Sequence, residues 1–245
     1  MSALSPQPVG DAIEEIRRSA VRVSASLAGL DDAEVREPST LPGWSRARVV
    51  GHLVQSADAY LWLLSFARTG SEPCPRPDPV STARALEEWA QRPSGELAAA
   101  LAHRVDLLVD AAVSLPGERW GTLVRAAAGW HHPAWYVLRR CWRELETHHV
   151  DLVAGYRSAD WPCAYVAWAL DDTLGTLAAQ AFPIARVEAT DLARTWTVSG
   201  TGPAVCGPGH AVLSWLSGRC GGDALGQGLL PAPPAWPQPP RPGWG

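Results

Sequence analysis

The chain has 245 residues, 47% of them hydrophobic, which is enough to fill a core in one large domain or two ordinary ones. All 21 basic residues are arginine and the net charge is -4 without a basic run, which argues against nucleic-acid binding through a basic patch. The N-terminus lacks a signal-peptide pattern and no stretch approaches the roughly 18 apolar residues of a membrane span, so we expect a soluble, cytoplasmic protein without a membrane partner.

Apolar spacing predicts helices through the first part of the chain. Apolar residues recur every three or four positions over residues 9–30, which indicates a first amphipathic helix. Ser45 follows a turn-forming EPSTLPGW segment and can cap a second helix, which carries His52. After the proline-rich segment CPRPDPV, a third helix is predicted over residues 81–115, with a break near Pro93.

Proline and glycine mark the limits of the next helices. Pro133 suits the first turn of a fourth long helix, and Gly155 is a natural C-terminal stop. His131 and His132 come just before this helix and are expected to be capping or surface residues. A further helix is predicted over residues 162–181.

The character of the sequence changes after position 183. Short segments rich in β-formers predict a small sheet, and they are RVEATD, TWTVSG and PAVCG. The segment GHAVLSWLSGR predicts a short helix, and the proline-rich end predicts an extended tail that is either packed on the surface or disordered. We therefore expect an α+β protein with a helical domain over residues 1–182 and a small α/β domain over residues 183–245.

The stretch RELETHHVDL, residues 143–152, concentrates polar groups on the fourth helix. Glu144 and His148 are four residues apart, so they lie on one face of that helix and can bind one ion together. His52, on an otherwise apolar helix, is the candidate third ligand, because facing helices of a bundle bring such side chains together. Two histidines and a carboxylate form a known catalytic zinc set that also suits iron or manganese.

Simpler interpretations of the same residues exist. Glu144 and His148 can be a solvated surface pair, and a core histidine is often only hydrogen-bonded. His149 lies about 100° around the helix from His148, so we place it outside the metal site together with Glu146. Asp151 either orients the His148 imidazole or accepts hydrogen bonds near the helix end.

Three segments together carry a family resemblance: LPGWSRARVVGHLVQSADAYLWLL, RELETHHVDLVAGY and AVLSWLSGRCGGDAL. The chain resembles the mycothiol-dependent maleylpyruvate isomerase family over essentially its whole length. The resemblance implies a DinB-like four-helix bundle followed by a smaller α/β domain. It also implies a zinc ion held by His52, Glu144 and His148, and it places Arg219, in the WLSGR segment, towards the active-site cleft as a carboxylate-binding catalytic residue.

The activity implied by the resemblance is a thiol-dependent cis-trans isomerisation. A zinc-activated thiolate adds to the double bond of maleylpyruvate, the new single bond rotates, and elimination gives fumarylpyruvate. Mycothiol is the thiol that the family name implies, and ergothioneine, bacillithiol and glutathione are alternatives. The five cysteines lack CxxC spacing and are predicted to be reduced structural thiols, with Cys141 in the core.

Other interpretations change the reaction or the class of protein. DinB-like bundles also include thiol S-transferases, which conjugate the thiol to an electrophile and need the same zinc site. A binding protein that has lost the chemistry is the alternative outside enzymology. Neither a monomer nor a homodimer is favoured by the sequence. After Arg219, three arginines on the metal-bearing helix are further candidates for a substrate carboxylate, although arginines there can be only solvated: Arg139, Arg140 and Arg143. Trp44, Trp135 and Trp142 either wall a pocket or fill the core.

Overall fold

A computed structural model describes residues 9–226 and 230–240. Backbone contacts divide the chain into two compact units, Met1–Tyr156 and Arg157–Gly245. Each unit has its own secondary structure, helical in the first and mixed in the second. The α+β fold class predicted from the sequence is confirmed.

The first unit is a four-helix bundle with one additional helix. Helices α1, α2, α4 and α5 form a closed ring in which α1 packs on α4 and α5, and α2 packs on the same two helices. Helix α3 packs against α2. The bounds are α1 Val9–Ala28, α2 Arg46–Thr69, α3 Pro79–Ala90, α4 Ser94–Val113 and α5 Trp135–Asp151.

Local sequence signals explain where these helices begin. The Ser45 side chain accepts a hydrogen bond from the Arg48 amide at the start of α2, as predicted. Asp78 caps α3, and Pro79 occupies its first position, where no amide hydrogen is needed. The predicted third helix is two helices, α3 and α4, and the break between them falls at the expected Pro93.

A glycine on α2 allows α3 to approach closely. A Cβ added at Gly51 would lie 2.6 Å from the Cβ of Trp89 on α3, a separation that real Cβ atoms do not show. Gly51 is buried and directly precedes His52. The packing of α3 on α2 therefore depends on the absence of a side chain at this position.

A β-hairpin that was not predicted from the sequence precedes α5. Strands β1 Leu123–Arg125 and β2 His131–Pro133 pair antiparallel, with His132 opposite Val124. The predictions for Pro133 and His132 were therefore wrong, since Pro133 ends β2 and His132 is completely buried. Three-residue strands are too short for alternation to be recognised in the sequence.

The second unit combines two helices with a three-stranded sheet. The strand order is β4-β3-β5, with β3 antiparallel to β4 and parallel to β5. Helix α7 packs against α6 and against the sheet. The bounds are α6 Cys163–Ala179, β3 Arg186–Ala189, β4 Arg194–Thr197, β5 Ala204–Gly207 and α7 Gly209–Leu216.

The division of the chain differs from the boundary predicted at residues 182–183. Helix α6 packs on α7, so it lies with the sheet in the second unit rather than with the bundle. The proline-rich segment also belongs to this unit, where the Thr176 hydroxyl of α6 donates to the Pro239 carbonyl at 3.1 Å. Of the two predicted states of the tail, residues 231–240 adopt the packed one.

Two further expectations concern the described residues. All five cysteines lie in this part of the chain, and all are free thiols, with Cys141 buried. Among the helices of residues 9–226 and 230–240, none is both long enough and apolar enough to cross a bilayer.

Candidate metal centre

The bundle brings the three predicted ligands together. His52 comes from α2, Glu144 and His148 come from α5, and these two helices pack against each other. One donor atom from each residue lies within 4.8 Å of the other two. The four-residue spacing accounts for the pair on α5, and antiparallel packing in the bundle supplies the third residue from 92 positions away.

Two donor separations in the cluster are close to those expected around a tetrahedral metal ion. Nε2 of His52 lies 3.2 Å from Oε2 of Glu144, and Nε2 of His148 lies 3.3 Å from the same oxygen. Zinc bonds of roughly 2.0–2.1 Å place neighbouring tetrahedral donors about 3.4 Å apart. The two imidazoles and the carboxylate are therefore compatible with a metal ion by donor type, and two of their three separations are close to the tetrahedral value.

Solvent reaches the cluster on the His52 side. The His52 side chain keeps 32% of its exposure, against 12% for Glu144 and 13% for His148. Trp44 packs edge-on against the His52 ring, with ring centroids 5.8 Å apart. His52 is therefore the donor through which the cluster is most accessible from solvent.

The electrostatics of the cluster suit a cation. Burial acts to raise the pKa of Glu144, but hydrogen bonds to His148 and His52 outweigh it and hold that pKa well below its usual range. Burial acts to lower the pKa of His148, whereas hydrogen bonds to Asp151 and Glu144 raise it to about 8. Glu144 is therefore ionised at neutral pH, as a metal-binding carboxylate must be, whereas His148 has to lose one proton when an ion binds.

Asp151 holds the His148 ring by its other nitrogen. Nδ1 of His148 donates to Oδ2 of Asp151 at 2.8 Å, which leaves Nε2 free to bind a metal. The completely buried Asp151 carboxylate also accepts the Thr40 hydroxyl at 2.5 Å, and the Thr40 amide donates to the Asp151 carbonyl at 3.1 Å. Of the two roles predicted for Asp151, the contacts are those of the orienting one.

We expect the Thr40 hydroxyl to contribute to metal affinity through this chain of hydrogen bonds. Thr40→Val keeps the shape of the side chain but removes its hydrogen bond to Oδ1 of Asp151, and zinc affinity should fall about tenfold, at the low end of losses for outer partners. Competition with a chromophoric chelator measures this change. Thr40→Ser retains the hydroxyl and should bind zinc like the unaltered protein; equal affinity in Thr40→Val would contradict the prediction.

Tyr60 is a member of the cluster that sequence reasoning missed. Its hydroxyl donates to Oε1 of Glu144 at 3.3 Å and also forms a hydrogen bond with Arg140. Tyr60 is eight residues after His52, which places both on one face of α2, so helical spacing was the signal that could have identified it. Burial, followed by the charge of Glu144, raises the Tyr60 pKa far above its usual value, so the phenol stays protonated.

The other polar residues of the decapeptide lie against α1. The Glu146 carboxylate contacts the Ser19 hydroxyl and the Arg22 guanidinium, and it accepts the Tyr156 hydroxyl at 2.6 Å. His149 stacks on Tyr156 at 3.9 Å between ring centroids. Neither residue joins the cluster, in agreement with the separation expected from helix geometry.

Of the tryptophans and arginines named from the sequence, some contact the cluster and others are buried in the core. Trp44 touches the cluster, whereas Trp142 is fully buried in the core. Arg139 and Arg143 are buried, so a solvated position was the wrong interpretation for these two. The guanidinium carbon of Arg139 lies 5.2 Å from the ring centroid of Trp142, so a cation–π contact stabilises this buried arginine.

A family comparison agrees with this architecture. The model for the mycothiol maleylpyruvate isomerase N-terminal domain matches residues 16–153, more than half of the chain. The chain belongs to this family. The matched range contains all three clustered donors, so the candidate metal centre lies within the mycothiol maleylpyruvate isomerase N-terminal domain.

Solved structures extend the likeness beyond that domain. The chain is similar to the mycothiol-dependent maleylpyruvate isomerase and to a mutant of it in which a histidine is replaced by alanine. Each matches with a TM-score of 0.82 at 23% identity, covering 96% of this chain and 100% of the other. The isomerase fold is therefore shared across both units, while no curated protein matches the chain.

Arg219 lies in the second unit, just after α7. Its amide donates to the Ser214 carbonyl at 2.8 Å, and its guanidinium donates to the Ser217 carbonyl at 2.6 Å. Gly218 before it adopts a left-handed φ of 73°, which favours glycine and turns the chain at the helix end. The catalytic role of Arg219 stays a prediction based on the resemblance of its motif.

Proposed function

We propose that this protein is a zinc-dependent cis-trans isomerase that converts maleylpyruvate to fumarylpyruvate with a low-molecular-weight thiol, of which mycothiol is the first candidate. The observation that carries the proposal is the convergence of His52, Glu144 and His148 in a chain of the maleylpyruvate isomerase family. Two nitrogen donors and one oxygen donor leave a fourth tetrahedral position for an external ligand.

The residues of the chain prepare this position. His52, Glu144 and His148 would hold the ion, Asp151 fixes the ring of His148, and Tyr60 holds the second oxygen of Glu144. When bound, zinc and the thiol together supply a thiolate nucleophile at neutral pH, whose reversible addition to a carbon–carbon double bond permits rotation. Arg219 is proposed to bind a substrate carboxylate through its two-pronged guanidinium.

Cys141 is not needed as the nucleophile. It is buried in α5, and burial, followed by the charge of Glu144, raises the pKa of its thiol far above the usual value. A thiol that stays protonated at neutral pH is a poor nucleophile. This supports a requirement for an external thiol.

The decisive experiment combines zinc, substrate and thiol. We expect zinc-loaded protein to form fumarylpyruvate from maleylpyruvate with mycothiol, and neither the metal-free protein nor the zinc-loaded protein without thiol to do so. Fumarylpyruvate formation can be followed by ultraviolet absorbance. Parallel reactions with ergothioneine, bacillithiol and glutathione identify the preferred thiol.

The same experiment separates the alternatives. A stable S-conjugate in place of fumarylpyruvate would assign the chain to the thiol S-transferases. Absence of both products with all four thiols, in protein that contains stoichiometric zinc, would reject the isomerase proposal.

A further inference from the structure

Arg140 is placed beside the candidate metal centre. Arg140, Glu144 and His148 follow each other at four-residue intervals, so they form one stripe along α5. Tyr60 connects the first two, because its hydroxyl donates to Glu144 and also forms a hydrogen bond with the Arg140 guanidinium. The Cα atoms of Arg140 and Glu144 are therefore one helical turn, roughly 6 Å along the axis, apart, and Tyr60 links the two side chains.

The guanidinium is oriented on a second side by an aromatic ring. Its central carbon lies 4.8 Å from the ring centroid of Trp130, in the turn of the β1–β2 hairpin, which is a cation–π distance. Nε of Arg140 is buried and has no acceptor among the residues that the structure describes. A buried donor without an acceptor is unfavourable, and an anion bound at this edge of the guanidinium would supply the acceptor.

The charges around the site also favour an anion. A divalent ion together with Arg140 carries three positive charges, against two negative charges on Glu144 and Asp151. Before a thiolate binds, these two negative charges would therefore not neutralise a metal-loaded site. An arginine edge with Nε and Nη hydrogens pointing the same way matches the two oxygens of a carboxylate.

We propose that Arg140 binds a carboxylate of the substrate next to the three metal ligands. This inference rests on the proposed function for the identity of the substrate, a keto acid with two carboxylates. It concerns the helical unit alone and does not depend on the role proposed for Arg219 in the second unit. Tyr60 acts as a positioning residue, because it touches both the guanidinium and a ligand carboxylate.

Binding without turnover tests the role of Arg140. Zinc-loaded protein is titrated in a calorimeter, without thiol, with three carboxylate probes: succinylpyruvate, which is the saturated analogue of maleylpyruvate, and maleate and pyruvate. We expect Arg140→Gln to weaken succinylpyruvate binding by about ten- to a hundredfold, as expected for loss of a charged hydrogen-bonding partner. Arg140→Lys keeps the charge but not the two-pronged guanidinium, so its affinity for succinylpyruvate should lie between those of the unaltered protein and Arg140→Gln.

A matched control separates this effect from the loss of a cation–π contact between an arginine and a tryptophan. Arg76 lies over Trp62 at 3.8 Å and donates to the Arg125 carbonyl, without contact to the metal ligands. Arg76→Gln should bind all three probes like the unaltered protein. Zinc content and thermal unfolding are measured for each variant, so a misfolded Arg140→Gln is recognised and the comparison then rests on Arg140→Lys.

The outcomes for the two proposals are distinct. Equal affinity of the unaltered protein, Arg140→Lys and Arg140→Gln for succinylpyruvate overturns the role of Arg140, as does failure of all three probes to bind the unaltered protein. Carboxylate binding that depends on Arg140, in a protein that forms no fumarylpyruvate with any thiol, supports this role and rejects the proposed isomerisation.

Discussion

Replacing Glu144 with glutamine is expected to remove zinc binding and, with it, isomerase activity. Oε2 of Glu144 lies 3.2 Å from Nε2 of His52 and 3.3 Å from Nε2 of His148. It is therefore the donor atom that contacts both of the others. An amide is neutral and a far weaker zinc ligand than a carboxylate. We expect zinc affinity to fall by more than about a hundredfold, the largest loss typical of an outer partner.

Zinc content after dialysis, measured by atomic emission, tests this prediction together with the rate of fumarylpyruvate formation. Glu146→Gln is the matched control, because it makes the same change two residues along α5 at a carboxylate directed to Ser19 and Arg22. It should lower the free energy of unfolding but retain one zinc per chain. Stoichiometric zinc in Glu144→Gln would exclude Glu144 as a ligand.

Replacing Gly51 with valine is expected to destabilise the bundle by about 3 kcal/mol, the upper end of typical overpacking costs. The added Cβ would lie 2.6 Å from the Cβ of Trp89, and that atom is attached directly to the backbone of α3. Relief therefore requires movement of a helix rather than rotation of a side chain. Urea unfolding of the metal-free protein measures the change in free energy.

Gly95→Val provides the comparison for this substitution. Gly95 lies in the first turn of α4, and a Cβ there would meet nothing within 4 Å. Valine has a somewhat higher helix propensity than glycine, so this variant should be neutral or slightly stabilised, by less than about 1 kcal/mol. If both valine variants unfold at the same urea concentration, α3 does not approach α2 as closely as described.

The parts of the fold that were predicted correctly are those with local signals. Ser45 caps α2, Pro93 separates α3 from α4, and β-rich segments form β3, β4 and β5. The hairpin at His132 was missed because its three-residue strands have no recognisable period and because Pro133 also suits a helix start. The packing of α6 with α7 rests on contacts between elements, which no local pattern reports.

In the candidate site, too, contacts within one helix were predicted and contacts between distant segments were not. Spacing on one helix relates Glu144 to His148, and Asp151 to His148, so these contacts were foreseen. Thr40 reaches Asp151 across 111 residues, and nothing in its own segment indicates that contact. The positions of Arg139 and Arg143 were predicted wrongly because arginine side chains are usually exposed in proteins. In this structure both side chains are buried.

The distance between His52 and Glu144 along the chain has a consequence for how much protein persists in a cell. An ion bound by both would join two helices whose ligands are 92 residues apart, and it could not be held in this way by the unfolded chain. At a free zinc concentration a thousand times the dissociation constant, mass action adds about 4 kcal/mol to the folded state. Natural domains are stable by only about 5–15 kcal/mol, so scarcity of zinc would lower the abundance of the protein through proteolysis in addition to removing its activity.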